Sequence, residues 1–148
     1  MASQTGKTNA RHIRVYLDDV GASPRDISAS VSNISGVGLV FDEQNVTCYS
    51  DGVVNFVLGH PSSEIEITGP YSDTADIGAH IVFSNRVGYI TTTATLTVQI
   101  GILAAPLSTD PEFEGEYFVS SYLISGDGTY TARLVPASAT VPAWGTVA

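Results

Sequence analysis

The sequence predicts a mainly β protein, an antiparallel β-sandwich or barrel with one flanking α-helix around residues 76–86. Three observations predict this fold class. Apolar and polar residues alternate through most of the chain, which is typical of half-buried antiparallel strands. Asp-Gly pairs separate two pairs of alternating segments, the usual signal of a β-hairpin. One segment departs from alternation and has helical spacing instead.

The alternating segments predict eight or nine strands. The clearest one places Ala94, Leu96, Val98 and Ile100 on one face, with threonines and Gln99 on the other. Similar alternation covers residues 13–17, 27–32, 54–58, 64–68 and 129–134. Such strands bury one face and leave the polar face to solvent or to a neighbour.

Two hairpins are predicted from the Asp-Gly pairs. Asp51-Gly52 separates residues 46–48 from residues 54–58, and Asp127-Gly128 separates residues 117–124 from residues 129–135. Type I′ turns need a positive φ at both central residues, which is why Asp-Gly is common in them. Cys48, the only cysteine of the chain, falls in the first hairpin, where we expect a small buried strand residue.

The predicted helix covers residues 76–86. Acidic residues lie near its start, Arg86 lies near its end and Gly88 follows, which agrees with the helix dipole and with a glycine C-cap. Its apolar residues follow helical spacing: Ile77, Ile81, Phe83 and Val87.

The composition favours one acidic domain of 148 residues, with an N-terminal arm over residues 1–11 and an extended C-terminal segment over residues 136–148. The formal charge is −9, which disfavours a nucleic-acid-binding domain. Four of the six basic residues lie within the first 25, so two interpretations of the arm remain open: Lys7 and Arg11 dock on the acidic surface of a neighbouring subunit, or the polar residues 2–10 form a solvated tail. No stretch approaches the ~20 apolar residues that span a bilayer, so no membrane partner is expected.

No group of residues in the sequence predicts an enzyme. His12, His60 and His80 are far apart and form no metal-ligand motif with Cys48. We therefore expect no catalytic residues, no metal and no cofactor.

Two sets of carboxylates have strand spacing. Glu112, Glu114 and Glu116 fall on one face of a regular strand, and Glu64 and Glu66 do the same elsewhere. Two interpretations remain open: a solvated strand face, or an acidic wall that faces a channel.

Five segments follow one another in a specific order along the chain: Asp26-Ile27-Ser28, residues 45–52, residues 64–71, Ala79-His80 and residues 114–122. This order of motifs, along residues 13–147, resembles that of the tail tube (major tail) proteins of long, non-contractile-tailed bacteriophages. The resemblance implies a β-sandwich with a flanking helix, assembled into stacked hexameric rings around an inner β-barrel through which the genome passes.

The same resemblance implies a structural virion protein without enzymatic activity or cofactor, made in the host bacterial cytoplasm. Its expected partners are further copies of itself and the tape-measure, tail terminator and distal tail or baseplate proteins. Genomic DNA would pass through the tube without specific binding.

The resemblance also gives the candidate residues their expected roles. An acidic lumen repels DNA phosphates over a Debye length of about 8 Å, so Glu64/Glu66 or Glu112/Glu114/Glu116 are expected to face the lumen. Residues 37–53 are expected to form a ring-to-ring loop, with Asp42, Glu43, Asn45, Asp51 and Gly52 as its candidate contacts. The alternatives are a capsid decoration or cement protein, and a tail-completion or baseplate-hub subunit that forms a single ring.

Overall fold

The computed structural model describes residues 6, 8–75, 77–102, 104–138 and 140–148. In this part of the chain it is mainly β and antiparallel, with one α-helix, as predicted. The α-helix is α1 (Ala79–Arg86), and 3-10 helices cover Ala10–His12 and Ser28–Ser30. The strands are β1 (Ile13–Asp18), β2 (Pro24–Asp26), β3 (Asn33–Ser35), β4 (Val40–Asn45), β5 (Phe56–Ser62), β6 (Ile65–Pro70), β7 (Ala94–Ile100), β8 (Pro111–Ile124), β9 (Thr129–Pro136) and β10 (Ala143–Thr146).

Eight of the described strands form one large sheet in the order β2-β1-β7-β8-β9-β6-β3, with β10 paired to the N-terminal half of β8. All of these pairs are antiparallel. Strands β4 and β5 pair only with each other and form a separate two-stranded sheet. Sequence alternation was a good guide to β1, β6, β7 and β9 because each of these strands buries one face.

The large sheet closes on itself through the segment from β2 to β3. Strand β2 pairs with β1 at one edge of the sheet, and β3 pairs with β6 at the other edge. Between them, the Val15 amide donates to Ser28 Oγ at 2.8 Å, and the Tyr130 hydroxyl donates to the Ser30 carbonyl at 2.7 Å. The Ile27 amide also donates to the Val15 carbonyl at 3.0 Å, and the Ser32 amide donates to the Thr68 carbonyl at 2.8 Å. The closure therefore combines backbone and side-chain bonds around one 3-10 turn.

The core lies inside this curled sheet and is covered by α1. Inward-facing residues of β1, β6, β7, β8 and β9 are buried together with Ala79, Val82 and Phe83 of α1. The Phe83 ring lies 5.5 Å from the Tyr122 ring and 5.6 Å from the Tyr130 ring, between centroids. These contacts hold the helix against β8 and β9.

Arg86 fixes the C-terminal end of α1 although it is fully buried. Its guanidinium donates to the backbone carbonyls of Asp18 (3.3 Å), Asp19 (2.6 Å) and Thr92 (2.9 Å). A buried charge is tolerated when hydrogen bonds replace its hydration. The sequence analysis placed Arg86 near the helix end, and the structure adds that it joins the helix to two loops.

Two predicted elements have different bounds in the structure. The helix begins at Ala79 rather than at residue 76, and Ile77, predicted for the core face, is half exposed; residue 76 itself lies outside the described residues. The predicted strand over residues 27–32 is a 3-10 turn at Ser28–Ser30. Asp26 Oδ1 accepts the Ser28 amide at 3.0 Å, a local bond that competes with strand pairing.

The two Asp-Gly pairs behave differently. A hairpin does join β8 and β9 at Asp127-Gly128, but its loop covers residues 125–128, with Gly128 at φ +83° and the Gly128 amide bonded to the Ser125 carbonyl. Asp51-Gly52 lies inside a longer loop over residues 46–55, and the strands lie outside it. Cys48 is therefore exposed in a loop, and the prediction of a buried strand residue was wrong.

Candidate functional site

Glu112, Glu114 and Glu116 lie on the face of the large sheet that points away from the core. Phe113 and Tyr117, which alternate with them in β8, are buried. In the register of β7 and β8, Thr95 lies opposite Glu116, Thr97 opposite Glu114 and Gln99 opposite Glu112. The spacing of the glutamates therefore predicted a shared face correctly.

Threonine hydroxyls orient the carboxylate of Glu116. Thr93 Oγ1 donates to Glu116 Oε2 and Thr95 Oγ1 donates to Glu116 Oε1, both at 2.8 Å. Thr97 Oγ1 makes a longer bond of 3.4 Å to Glu114. Neutral donors hold these carboxylates without cancelling their charge, so this part of the sheet stays negative.

Charge accumulates on this face. Burial raises the pKa of Glu112, and hydrogen bonding and repulsion from Glu114 raise it further. Asp18 lies on the same side of the sheet, next to β7. Burial is the main cause that raises the pKa of Asp18, and repulsion from Glu116 adds to it. The hydrogen bonds with Thr95 act in the opposite direction. Both shifts report carboxylates that are close to other carboxylates and partly removed from water.

Glu66 of β6 and Glu64, which directly precedes this strand, lie on the same face as the β8 glutamates, with β9 between the two strands. Ile65 and Ile67, which alternate with them, are fully buried. Arg133 of β9 lies opposite Glu66 and forms an ion pair of 2.5 Å with Glu64. We call Asp18, Glu64, Glu66, Glu112, Glu114 and Glu116 the acidic face.

Strands β4 and β5 form a hairpin, and they contact mainly each other. Every residue from Val40 to Leu58 is exposed, and we call residues 40–62 the projecting hairpin. Its large apolar side chains are exposed by between 40% and 72%, apart from the fully exposed Tyr49: Val40, Phe41, Val46, Val53, Val54, Phe56, Val57 and Leu58. A two-stranded hairpin is marginally stable alone, and apolar exposure on this scale marks an interaction site.

All five residues predicted for a ring-to-ring loop lie on the projecting hairpin. Asp42 lies at an irregularity between Phe41 and Glu43, where the register with β5 shifts. Asn45 Oδ1 accepts the Thr47 amide at 2.9 Å, and Asp51 Oδ2 accepts the Cys48 amide at 2.8 Å, a bond that lowers the pKa of Asp51. Asn45 and Asp51 therefore shape the loop, whereas Asp42 and Glu43 leave their carboxylates exposed.

The described residues near both ends of the chain are bonded to the large sheet. Thr8 Oγ1 donates to the Gly101 carbonyl, and the Gly101 amide donates to the His12 carbonyl. Arg11 is exposed in the 3-10 helix between them, and Lys7 lies outside the described residues. Strand β10 pairs with β8 in an antiparallel arrangement, and the Trp144 ring lies 5.1 Å from the Phe113 ring.

Nothing in the described residues forms a metal site or a membrane-spanning helix. No group of three or more histidine, cysteine or acidic side chains there could hold a metal ion. In that same part of the chain, no helix is long and apolar enough to cross a bilayer.

The comparisons with known proteins give structural neighbours only. No family model matches the chain, and no curated protein matches it. A chain from the tail of an empty gene transfer agent particle is 18% identical with a TM-score of 0.61, over 95% of this chain and 98% of that chain.

Two further neighbours come from other particles. A chain from the anti-feeding prophage tube-terminating cap is 14% identical with a TM-score of 0.65, over 99% of this chain and 95% of that one. A chain from the sheath–tube complex of an extracellular contractile injection system is 14% identical with a TM-score of 0.61, over 95% and 92%. The fold is thus shared with components of phage-like tails, tubes and caps.

Proposed function

We propose that the protein is a structural subunit of a phage tail tube of the long, non-contractile type, in which hexameric rings stack into a conduit for genome delivery. The observation that carries this proposal is the projecting hairpin, whose apolar residues are exposed in a fold shared with tail and tube chains. A second copy is the simplest partner for such a surface. The gene transfer agent tail was refined with helical and C6 symmetry, which supports six subunits in each ring.

In the proposed tube, the acidic face lines the bore. Both sets of glutamates share one sheet face, and among the described residues Arg133 forms an ion pair with Glu64 alone. A surface of this charge repels DNA over about 8 Å at physiological salt. DNA would therefore pass without specific binding. Helix α1, which covers the core on the other side of the sheet, would face outwards.

The proposed partners follow from this role. They are further copies of the chain, a tape-measure protein, a tail terminator and distal tail or baseplate proteins, all within a virion assembled in the bacterial cytoplasm. No catalytic activity and no cofactor form part of the proposal.

Negative-stain electron microscopy of the purified protein over a range of concentrations tests the assembly. We expect hollow tubes of constant width with a regular axial repeat. Deletion of residues 41–45 should shorten the tubes or leave single rings, because it removes the exposed strand of the projecting hairpin. Protein that stays monomeric at every concentration would contradict the proposal, and full-length tubes from the deletion variant would contradict the ring-to-ring role.

Thiol labelling tests which surface faces the bore. In a Cys48→Ser background, Glu114→Cys samples the acidic face and Ser84→Cys samples the exposed side of α1. A maleimide attached to a folded protein too wide for the bore should label Ser84→Cys in tubes, but label Glu114→Cys only after the tubes are dissociated. Equal labelling of the two variants in intact tubes would place the acidic face outside.

A single-ring cap or terminator is the second candidate function. Its support is specific: one neighbouring chain comes from a structure of a tube-terminating cap, and another comes from a sheath/tube terminator, 14% identical with a TM-score of 0.59. A subunit of this kind would form isolated rings at all concentrations, so the same microscopy distinguishes it from a tube protein.

A further inference from the structure

A groove opens in the side of the sheet where β1 is only partly paired. Strand β2 pairs with β1 through Tyr16–Asp18 alone, so the stretch Ile13–Val15 has no strand beside it on that edge among the described residues. The groove has a volume of about 360 Å³. Its lining residues are Arg11, Ile13, Arg14, Val15, Ser28, Val31, Ser32, Asn33 and Ile34.

The groove has two arginines without a carboxylate partner. Among the described residues, Arg25 pairs with Asp19 and Arg133 pairs with Glu64, whereas Arg11 and Arg14 form no ion pair. Arg14 Nη1 donates instead to the carbonyls of Arg11 (3.0 Å) and Ile13 (3.1 Å). In a chain of net charge −9, the groove therefore has two arginines that form no ion pair among the described residues, with Asp26 beside Arg14 in an adjoining hollow.

The projecting hairpin has the complementary character. Residues 40–62 contain Asp42, Glu43 and Asp51 and no lysine or arginine. Asp51 is engaged with the Cys48 amide, but Asp42 and Glu43 make no ion pair within the described residues. The acidic face would repel this hairpin, whereas the two arginines of the groove would attract it.

The two surfaces do not meet within one copy. No residue of the projecting hairpin lines the groove, and its residues from Val40 to Leu58 are exposed. A groove of about 360 Å³ suits a few side chains rather than a whole hairpin. Contact between them therefore requires a second copy.

We propose that the projecting hairpin of one copy docks on the groove of a second copy, with Asp42 and Glu43 facing Arg11 and Arg14 and apolar hairpin side chains entering between Ile13 and Ile34. This inference rests on the proposed function and identifies the surface that receives the hairpin in the ring-to-ring contact. Paired charges set the register of the contact, and apolar burial supplies most of its strength.

Charge reversal with rescue tests the pairing. Arg11→Glu/Arg14→Glu should raise the concentration needed for assembly at least tenfold, and adding Asp42→Arg/Glu43→Arg to the same chain should restore assembly. A second comparison uses single substitutions that each remove one positive charge. Arg14→Gln changes an arginine of the groove and should weaken assembly. Arg133→Gln changes an exposed arginine outside the groove, and this matched control should leave assembly unchanged. Circular dichroism establishes that each variant is folded.

Cross-linking tests the same contact without changing any charge. Cys48 is the only cysteine and is exposed on the projecting hairpin, so a groove cysteine gives one defined pair. A short bis-maleimide should join Cys48 to Ser32→Cys between copies in the assembled protein, and should not join it to Ser84→Cys on α1. Wild-type protein treated identically controls for links between two hairpins.

The outcomes separate this inference from the proposed function. Assembly that survives the reversal at Arg11 and Arg14 unchanged, or a link to Ser84→Cys without a link to Ser32→Cys, would overturn the docking while leaving the tube intact. Wild-type protein that never assembles would overturn both. Rescue by the double reversal together with the Ser32→Cys link would establish the contact.

Discussion

The phenolic hydroxyl of Tyr130 donates a buried hydrogen bond of 2.7 Å to the backbone carbonyl of Ser30. Tyr130 belongs to β9, in the wall of the curled sheet, and Ser30 lies in the segment that closes it. Ser30 Oγ also accepts the amide of Ala79, the first residue of α1, at 3.4 Å. One residue of the closing segment therefore contacts both the sheet and the helix.

Tyr130→Phe should lower the free energy of unfolding by about 1–3 kcal/mol, because the Ser30 carbonyl loses its donor while it stays buried. Urea denaturation followed by circular dichroism measures the change. Tyr49→Phe removes the same hydroxyl from a fully exposed residue and should shift the free energy of unfolding by no more than about 0.5 kcal/mol. Equal effects at the two positions would contradict a closing role for the bond.

Gly69→Ala should destabilise the same closure through steric contact. A Cβ at Gly69 would lie 2.0 Å from the Ser30 carbonyl oxygen, so the closing segment must move. We expect a loss of about 1–3 kcal/mol in the free energy of unfolding, as for other overpacked sites. Gly145→Ala is the control because its Cβ would meet no atom within 4 Å, and it should be neutral. A neutral Gly69→Ala would show that the segment yields easily.

These closing contacts are the part of the fold that the sequence did not predict. Alternation located β1, β6, β7 and β9 because each has one buried face, and it gave the shared face of Glu112, Glu114 and Glu116. It failed at residues 27–32, where the Asp26 side chain bonds to the Ser28 amide and a 3-10 turn replaces a strand. Local side-chain bonds of this kind have no period in the sequence.

The candidate site was predicted unevenly for a similar reason. The acidic residues of the projecting hairpin were found, but Arg14 was not, because its place in the groove and its lack of an ion pair among the described residues are visible only in three dimensions. Cys48 was misplaced because the apolar residues around Asp51-Gly52 suggested a tight hairpin, whereas they belong to a long exposed loop. Apolar residues on both faces of residues 53–58 were the available signal that this segment does not bury one face in its own core.

Glu112→Gln should stabilise the protein near neutral pH. Burial and Glu114 raise the pKa of Glu112, so the folded state binds its proton more tightly than the unfolded chain, and stability falls as pH rises above the ordinary value of 4.5. Removing this carboxylate should raise the free energy of unfolding by up to about 0.5 kcal/mol at pH 7, with no gain below the ordinary carboxyl pKa.

Urea denaturation at both ends of this pH range measures the Glu112→Gln effect. The gain in the free energy of unfolding should be smaller in a Glu114→Gln background, because Glu114 then no longer raises the pKa of Glu112. An equal gain at acidic and neutral pH would mean that the charge of Glu112 is not its origin.

Arg86→Lys should be strongly destabilising although it keeps the charge. A lysine ammonium does not reproduce the planar fork that reaches the carbonyls of Asp18, Asp19 and Thr92, so buried acceptors lose their donors. We expect a loss of about 2–3 kcal/mol in the free energy of unfolding. Arg133→Lys, at an exposed ion pair, should cost at most about 1 kcal/mol. Equal losses would exclude the clamp at the end of α1.

Leu58→Ser separates the role of the projecting hairpin in assembly from any role in folding. Leu58 is 64% exposed, so its replacement should change the free energy of unfolding of the monomer by no more than about 0.5 kcal/mol. If a neighbouring copy buries this side chain, each contact loses about 1.5–3 kcal/mol, and the concentration needed for assembly rises at least about tenfold.

Sedimentation of assembled protein against concentration measures the Leu58→Ser effect, and Leu123→Ser is its control. Leu123 has nearly the same exposure, 68%, but lies on the large sheet rather than on the projecting hairpin. We expect its assembly curve to match that of the wild type. A Leu58→Ser variant that assembles normally would mean that the exposed apolar residues of β5 are not buried by a second copy. A variant whose monomer unfolds more easily would instead place Leu58 in contacts within its own chain.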